Sequence, residues 1–134
     1  MSITRKTIKS HHRSQHVADL FGLHFPLALE PTIYGITDHL AIAYCGGYWQ
    51  FYELSNSGFY MAPKSESRFY VSCENGFGGE LSPDALGIVA CLYAYSNLSF
   101  GEGVFAQRCA EHYHRLREYA LVHAEAGAIM AAID

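Results

Sequence analysis

Charged residues and long hydrophobic runs are both scarce in this sequence. Only 16% of the 134 residues are charged while 50% are hydrophobic, which excludes a disordered tail and predicts a single globular domain with its own core. No apolar run approaches the ~20 residues that a membrane span needs, because the longest, Leu81–Tyr95, is interrupted by Pro83 and Asp84. The basic N-terminus lacks the apolar segment of a secretory signal, so we expect a cytoplasmic protein.

Cysteine pairs of the C-x-x-C type are also missing. The four cysteines, Cys45, Cys73, Cys91 and Cys109, are separated by 28, 18 and 18 residues. Zinc ligands usually cluster at shorter spacings, so this pattern does not favour a metal site. We expect four reduced thiols that are buried as small hydrophobic side chains.

Charge is unevenly distributed along the chain. The first 18 residues contain Arg5, Lys6, Lys9 and Arg13 and no acid, so they carry +4, while the remaining 116 residues carry −8. We therefore predict a basic, mobile arm over residues 1–15 and a single domain over residues 16–134. The domain is too weakly acidic to imitate duplex DNA, which carries one negative charge per ~1.7 Å.

The most distinctive segment is a run of aromatic residues between residues 46 and 63. Six aromatic side chains lie between a pair of glycines and a proline. Two β-prone halves, Tyr48–Leu54 and Phe59–Ala62, flank the turn sequence Ser55-Asn56-Ser57-Gly58 and predict a β-hairpin. The expected pairs across it are Leu54–Phe59, Tyr52–Met61 and Phe51–Ala62. Its rings are either buried or presented to a partner, and burial is the favoured interpretation.

Periodicity and capping signals place the other elements. Helices are predicted at Ser14–Phe21, Pro31–Tyr44, Pro83–Asn97, Glu102–Tyr119 and Ala124–Ile133, and a third strand at Arg68–Cys73. Pro26 and Pro31 bracket an expected connection. Asn75–Gly79 is expected to form a turn, and Ser82 is the expected cap of the helix that follows. The predicted fold class is α+β, a three-stranded antiparallel β-meander packed with about four to five helices.

The residue types of an enzyme site do not come together in this pattern. Gly76-Phe77-Gly78-Gly79 precedes a predicted helix, but no lysine follows it as a phosphate loop requires, so a tight turn is favoured. His12 and His16 have a chelating i, i+4 spacing with no acid or thiol nearby to complete a metal site. Cys45 lies beside Gly46-Gly47, and a small hydrolase that uses this thiol is the least favoured alternative. We expect no catalytic residues, no metal and no cofactor.

A nucleic-acid-binding accessory protein is the main alternative. The four cations of the arm could contact phosphates, and the tyrosines at positions 48, 52, 60 and 70 could stack on bases. The predicted strands, however, contain only Arg68 as a cation, and the expected register puts Tyr52 and Tyr60 on opposite faces. A packed aromatic core is therefore favoured over a base-binding platform.

Three blocks of the sequence resemble the antirestriction protein family of ArdB/KlcA type, which comes from conjugative plasmids and genomic islands. They are Gly46–Pro63, Asn75–Ser82 and Asp84–Ala90. Weaker matches are Leu20-Phe21-Gly22, Phe25, Glu30, Ile33-Tyr34 and the chain end Ala131–Asp134. The resemblance covers the chain from about His16 onward. Ser57 and Pro83 depart from the family pattern, where glycine and alanine are usual.

The resemblance implies a non-enzymatic inhibitor that protects incoming foreign DNA from type I restriction endonucleases of a bacterial host. It would act by binding, directly or indirectly, to the host restriction complex, and not as a DNA mimic. DNA binding and the oligomeric state are left open. The predicted contact residues are exposed polar positions in two turns and the arm. They are Ser55, Asn56, Ser57, Gly58, Asn75, Gly76, Phe77, Glu80, Arg5, Lys6, Lys9 and Arg13.

Overall fold

The computed structural model describes residues 2–134, which form five α-helices and five β-strands. In chain order these are β1 Arg5–Thr7, α1 Arg13–Phe21, α2 Glu30–Leu40, β2 Trp49–Leu54, β3 Phe59–Pro63, β4 Phe69–Ser72, β5 Gly78–Leu81, α3 Pro83–Ser99, α4 Val104–Leu121 and α5 Ala126–Ile133. A 3₁₀ turn at Ser10–His12 precedes α1, and a π-helical turn at Phe25–Leu29 leads into α2. The predicted α+β class is confirmed.

The strands form two antiparallel sheets, one of three strands in the order β1-β2-β3 and one of two strands, β4-β5. A three-stranded sheet was expected, but the predicted third strand, Arg68–Cys73, was wrongly assigned to it. That segment instead pairs with β5, so that Phe69 lies opposite Leu81. The glycine-rich turn is shorter than expected, since Gly78 and Gly79 already belong to β5.

Strand β1 completes the larger sheet from the basic N-terminal segment. Arg5 pairs with Leu54, Lys6 with Glu53 and Thr7 with Tyr52. All three β1 residues are exposed, so the strand is held by backbone pairing and by the contacts of Arg5 described below. This differs from the separate arm expected over residues 1–15.

The register of the β2–β3 hairpin is one residue away from the predicted one. Tyr52 faces Tyr60, Phe51 faces Met61 and Glu53 faces Phe59, in place of the predicted pairs. The Leu54 N–H donates to the Gly58 carbonyl over 2.9 Å, which leaves a three-residue turn where two or four residues were expected. Ser57 adopts the left-handed conformation that closes such a turn, with φ of +71°. Tyr52 and Tyr60 therefore share a face and stack, with ring centroids 4.9 Å apart.

Helix α3 lies at the centre of the core and packs against β3. Ten of its residues, from Ala85 to Tyr95, are buried, as expected for a helix that is apolar on most faces. Gly87 lets the helix approach the strand, because a Cβ there would lie 2.4 Å from the Ala62 Cβ and 2.5 Å from the Met61 carbonyl oxygen. The predicted cap is confirmed, since the Ser82 hydroxyl accepts a hydrogen bond from the Ala85 N–H over 3.1 Å.

Three other expectations about the first half of the chain were wrong. The predicted connection between Pro26 and Pro31 is helical, because the π-helical turn runs into α2 without a break. A wider turn there accommodates Pro31, which has no N–H to donate. Helix α2 ends at Leu40, earlier than the expected Tyr44. Cys45 lies in the following loop and is exposed, whereas the other three cysteines are buried as predicted.

Candidate functional site

The largest group of linked polar side chains surrounds Asp84, in the first turn of α3. Its carboxylate accepts hydrogen bonds from Arg5, from the Tyr60 hydroxyl over 2.8 Å and from His123 Nε2 over 2.8 Å. Arg5 Nη1 also donates to the Tyr60 hydroxyl over 2.7 Å, and its guanidinium lies 4.2 Å from the centroid of the Tyr52 ring. We call Arg5, Tyr60, Asp84 and His123 the Asp84 cluster.

Both ring nitrogens of His123 are used within the fold. Its Nδ1 accepts the backbone N–H of Glu125 over 2.9 Å, so the neutral ring carries its proton on Nε2 and donates it to Asp84. An imidazole in this arrangement has no free lone pair with which to act as a general base. The His123–Asp84 pair therefore positions the loop between α4 and α5 on the start of α3.

A second carboxylate, Glu125, continues the network from the same loop. It accepts the Ser82 N–H over 3.0 Å and the Ser82 hydroxyl, and it accepts Arg68 Nη2 over 3.2 Å. The Ser82 hydroxyl also caps α3, so it is held by two partners, Glu125 and the Ala85 N–H. Arg68 thereby ties the β4–β5 sheet to the same end of the molecule.

The protonation of these groups follows from their contacts. Burial would raise the pKa of Asp84, but hydrogen bonds from His123 and Tyr60 and the charge of Arg5 hold it below its usual value. Burial likewise opposes ionisation of Glu125, and the hydrogen bonds from Ser82 with the charge of Arg68 lower its pKa overall. Burial and the neighbouring Asp84 raise the pKa of Tyr60. Both carboxylates are thus stabilised as anions by internal partners.

A cleft of about 470 Å³ opens beside the Asp84 cluster, between residues 2–5 and residues 122–124. The side chains of Arg5, Asp84 and His123, which line it, are the ones already hydrogen-bonded within the Asp84 cluster. The cleft therefore offers a ligand few unpaired polar groups within the described chain.

The hairpin turn predicted to contact a partner is itself packed against the domain. Asn56 Nδ2 donates to the Arg115 carbonyl over 2.9 Å, and the Ser55 hydroxyl accepts the Thr4 N–H over 2.9 Å. A Cβ on Gly58 would lie 2.9 Å from Leu54 Cδ1, 3.0 Å from Asn56 Oδ1 and 3.1 Å from Arg115 Cβ, so these side chains would have to shift to make room for it. Ser57 is exposed at the tip.

The second predicted contact turn is fastened to the end of the chain. Asn75 Nδ2 donates to the carbonyls of Ala131, Ala132 and Asp134 over 3.0, 3.2 and 3.0 Å, and its Oδ1 accepts the Phe77 N–H over 3.0 Å. Its side chain thus caps the C-terminus of α5. Phe77 is half-buried, whereas Gly76 and Glu80 are exposed.

The four cations of the predicted arm divide into two pairs. Arg5 belongs to the Asp84 cluster, and Arg13 turns inward with its guanidinium 4.3 Å from the Phe51 ring centroid and 4.7 Å from that of Tyr48. Lys6 and Lys9 are exposed. Two of the four cations are therefore engaged within the fold, and the role of the twelve predicted contact residues in binding stays a prediction.

One histidine of α4 is deeply buried. His112 on α4 packs against Phe21 and Tyr95, with ring centroids 4.9 and 5.6 Å apart, and its Nδ1 has no hydrogen-bond partner within residues 2–134. Burial and the charges of Arg115 and Arg108 lower the pKa of His112 to about 4. It is thus a neutral core residue.

No group of three or more histidine, cysteine or carboxylate side chains suited to a metal ion occurs in the part of the chain that the structure describes. None of the helices in residues 2–134 has the length and hydropathy of a membrane span. His12 and His16, the pair with chelating spacing, line a cleft with Lys6, Lys9 and Glu53.

Comparison with known proteins gives one consistent family. The family model described as antirestriction protein matches residues 42–134. An antirestriction protein KlcA of Escherichia coli is 46% identical over 108 residues, or 78% of this chain and 74% of the relative. A second Escherichia coli KlcA is 37% identical over 98% of this chain and 95% of its own length.

The fold is also found among solved structures. A structure from work on the KlcA and ArdB proteins, described as having a novel fold and antirestriction activity against type I DNA restriction systems in vivo but not in vitro, matches with a TM-score of 0.92. The two chains are 37% identical, and the match covers 100% of this chain and 96% of the other.

Proposed function

Because the chain belongs to the antirestriction protein family, we propose that it protects incoming foreign DNA from the type I restriction endonucleases of a bacterial host. The main support is the similarity to KlcA over nearly the whole length, together with the in vivo activity described for the KlcA and ArdB proteins. The predicted family membership and fold class are confirmed by these comparisons.

We further propose that the protein acts by binding and not by catalysis. The observation that carries this proposal is the internal satisfaction of the Asp84 cluster. His123 is hydrogen-bonded at both ring nitrogens and Asp84 accepts from three side chains, which leaves neither side chain free to act as a base. The Ser82 hydroxyl in the adjoining network is equally occupied.

The charge distribution supports a mode of inhibition other than DNA mimicry. The net charge is only −4 over 134 residues, far below the charge density of duplex DNA. Asp84 and Glu125 are also paired with Arg5 and Arg68. An inhibitor of this kind has to recognise its target through shape, polar contacts and local patches of charge.

The proposed target is the host restriction complex, reached directly or through a second cellular component. The relative's activity in vivo but not in vitro favours an indirect route, since a component missing from a purified reaction would produce that difference. To find the target, a tagged copy of the protein is recovered from restriction-proficient cells, and the proteins bound to it are identified by mass spectrometry.

The experiment that tests the proposed function is a plating assay. Unmodified phage is plated on a type I-proficient host that carries this gene or the empty vector, and we expect more plaques with the gene. Phage that already carries the host's modification, and a host without the restriction enzyme, should show no difference between gene and vector. Equal plating of unmodified phage on both strains, with the protein present at a normal level, would refute the proposal.

A further inference from the structure

A basic cleft lies on the side of β1 opposite to the Asp84 cluster. It has a volume of about 290 Å³ and is bounded by β1, by the segment that leads into α1, and by α1 itself. Lys6, Lys9, His12 and His16 line it together with a single acid, Glu53. We call these residues the basic cleft.

The fold holds these side chains on a fixed framework. Pairing of β1 with β2 places Lys6 opposite Glu53, and the Ile8 N–H continues the pairing by donating to the Phe51 carbonyl over 2.8 Å. The buried side chain of Ile8 anchors the segment. The 3₁₀ turn that follows is closed by the His12 N–H and the Lys9 carbonyl, 2.9 Å apart, and His16 lies one helical turn beyond His12.

The cations of the cleft are not neutralised within the fold. Neither Lys6 nor Lys9 forms an ion pair or a side-chain hydrogen bond with any of residues 2–134, whereas Arg5 and Arg13 of the same segment are engaged. Glu53 forms no ion pair within the described range either. Two free ammonium groups with two imidazoles and one carboxylate leave a local excess of positive charge on a protein of net charge −4.

We propose that the basic cleft binds phosphate groups of a nucleic-acid backbone. Lys6 and Lys9 are both exposed and lie three positions apart along a connected stretch of chain, an arrangement that suits successive phosphates of a backbone. Exposed lysines recognise phosphates as point charges and carry no sequence information. The binding is therefore independent of sequence and sensitive to salt. This inference does not depend on the antirestriction activity proposed above.

The test uses the full-length protein and a fluorescein-labelled 20-nucleotide DNA, as a single strand and as a duplex, in fluorescence anisotropy titrations at several salt concentrations. Lys6→Gln with Lys9→Gln should reduce the slope of log K against log salt by about 1.4 for the single strand or about 1.8 for the duplex, since each phosphate contact contributes about 0.7 or 0.9. Glu53→Gln should act in the opposite direction and tighten binding, because it removes the only acid that lines the cleft.

Matched controls make the test specific. Lys64→Gln with Arg117→Gln removes the same charge from two exposed positions on other elements and should leave the slope unchanged. Circular dichroism and urea unfolding check that each variant is folded. No binding of the wild type at 50 mM salt, or equal losses in the two double variants, would overturn the proposal. Displacement of the DNA by tripolyphosphate at equal phosphate concentration would reject a nucleic-acid backbone as the ligand.

Discussion

The two faces of β1 carry polar groups that differ in how their charges are satisfied. On one face, Arg5 joins the Asp84 cluster and every ionised group has a partner of opposite charge or a hydrogen bond. On the other, Lys6 has no side-chain partner within residues 2–134, and neither has Lys9, which lies just beyond the strand. Because successive residues of a strand point to opposite sides, neighbouring positions in the sequence have these different environments. One face thus holds the segment in the fold, and the other is the one for which we propose phosphate binding.

The largest effect on stability is expected from Asp84→Ala. This change leaves Arg5, the buried Tyr60 hydroxyl and His123 without their shared acceptor, and we expect a loss of about 2–4 kcal/mol in the free energy of unfolding. This loss in the free energy of unfolding is limited because the Asp84 side chain is 25% exposed. Urea unfolding at pH 7 measures it.

Glu53→Ala, on the opposite face of the same sheet, is the matched control for that change. Its carboxylate has no ion-pair partner in the described residues, and we expect a change within about 0.5 kcal/mol. Similar losses in the two variants would show that the two faces do not differ in the way described.

A pH-dependent effect of intermediate size is expected from His112. Its pKa is lowered from 6.5 to about 4 in the fold, so the unfolded chain binds a proton between these values while the folded chain does not. Stability is therefore fully present above pH 6.5 and falls as the pH drops towards 4, by up to about 3 kcal/mol. His112→Leu should remove this loss, as measured by urea unfolding at pH 7, 6, 5 and 4.

The exposed His12 provides the control for this pH dependence. His12→Leu should leave the change in stability between pH 7 and 4 as it is in the wild type, because His12 is not buried. Asp84 and Glu125 also lose stabilisation in acid, but their lowered pKa values place that loss below their usual values of 3.8 and 4.5. A wild-type profile that is flat from pH 6.5 to 4.5 would contradict the assignment to His112.

Local signals in the sequence predicted much of the fold but little of the candidate site. The five helices, the Ser82 cap and the existence of the aromatic hairpin follow from periodicity and turn residues that lie close together in the chain. The register was missed because it depends on one residue, Ser57, which adopts a left-handed conformation that a serine rarely takes. Strand β1 was missed because its three residues are all exposed and show no alternation.

The Asp84 cluster could not be read from spacing at all. Arg5 lies 79 positions and His123 lies 39 positions from Asp84, and no short motif links them. Asp84 by itself is explained by the start of a helix, and His123 has no neighbouring motif in the sequence that would mark it. Only the packing of α3 against the sheet and against the loop before α5 brings these residues together.

The same contrast between engaged and free polar groups applies to the predicted contact turns, where we expect the smallest effect. Asn75→Ala removes the three hydrogen bonds to the end of α5 and should cost about 1–2 kcal/mol, since these bonds are partly exposed. Ser57→Ala, in the other turn, removes an exposed hydroxyl that makes no hydrogen bond within residues 2–134 and should stay within about 0.5 kcal/mol. Amide hydrogen exchange along α5 distinguishes the two: faster exchange in the Asn75 variant alone is expected, and unchanged exchange would mean that the Asn75 side chain does not hold the chain end.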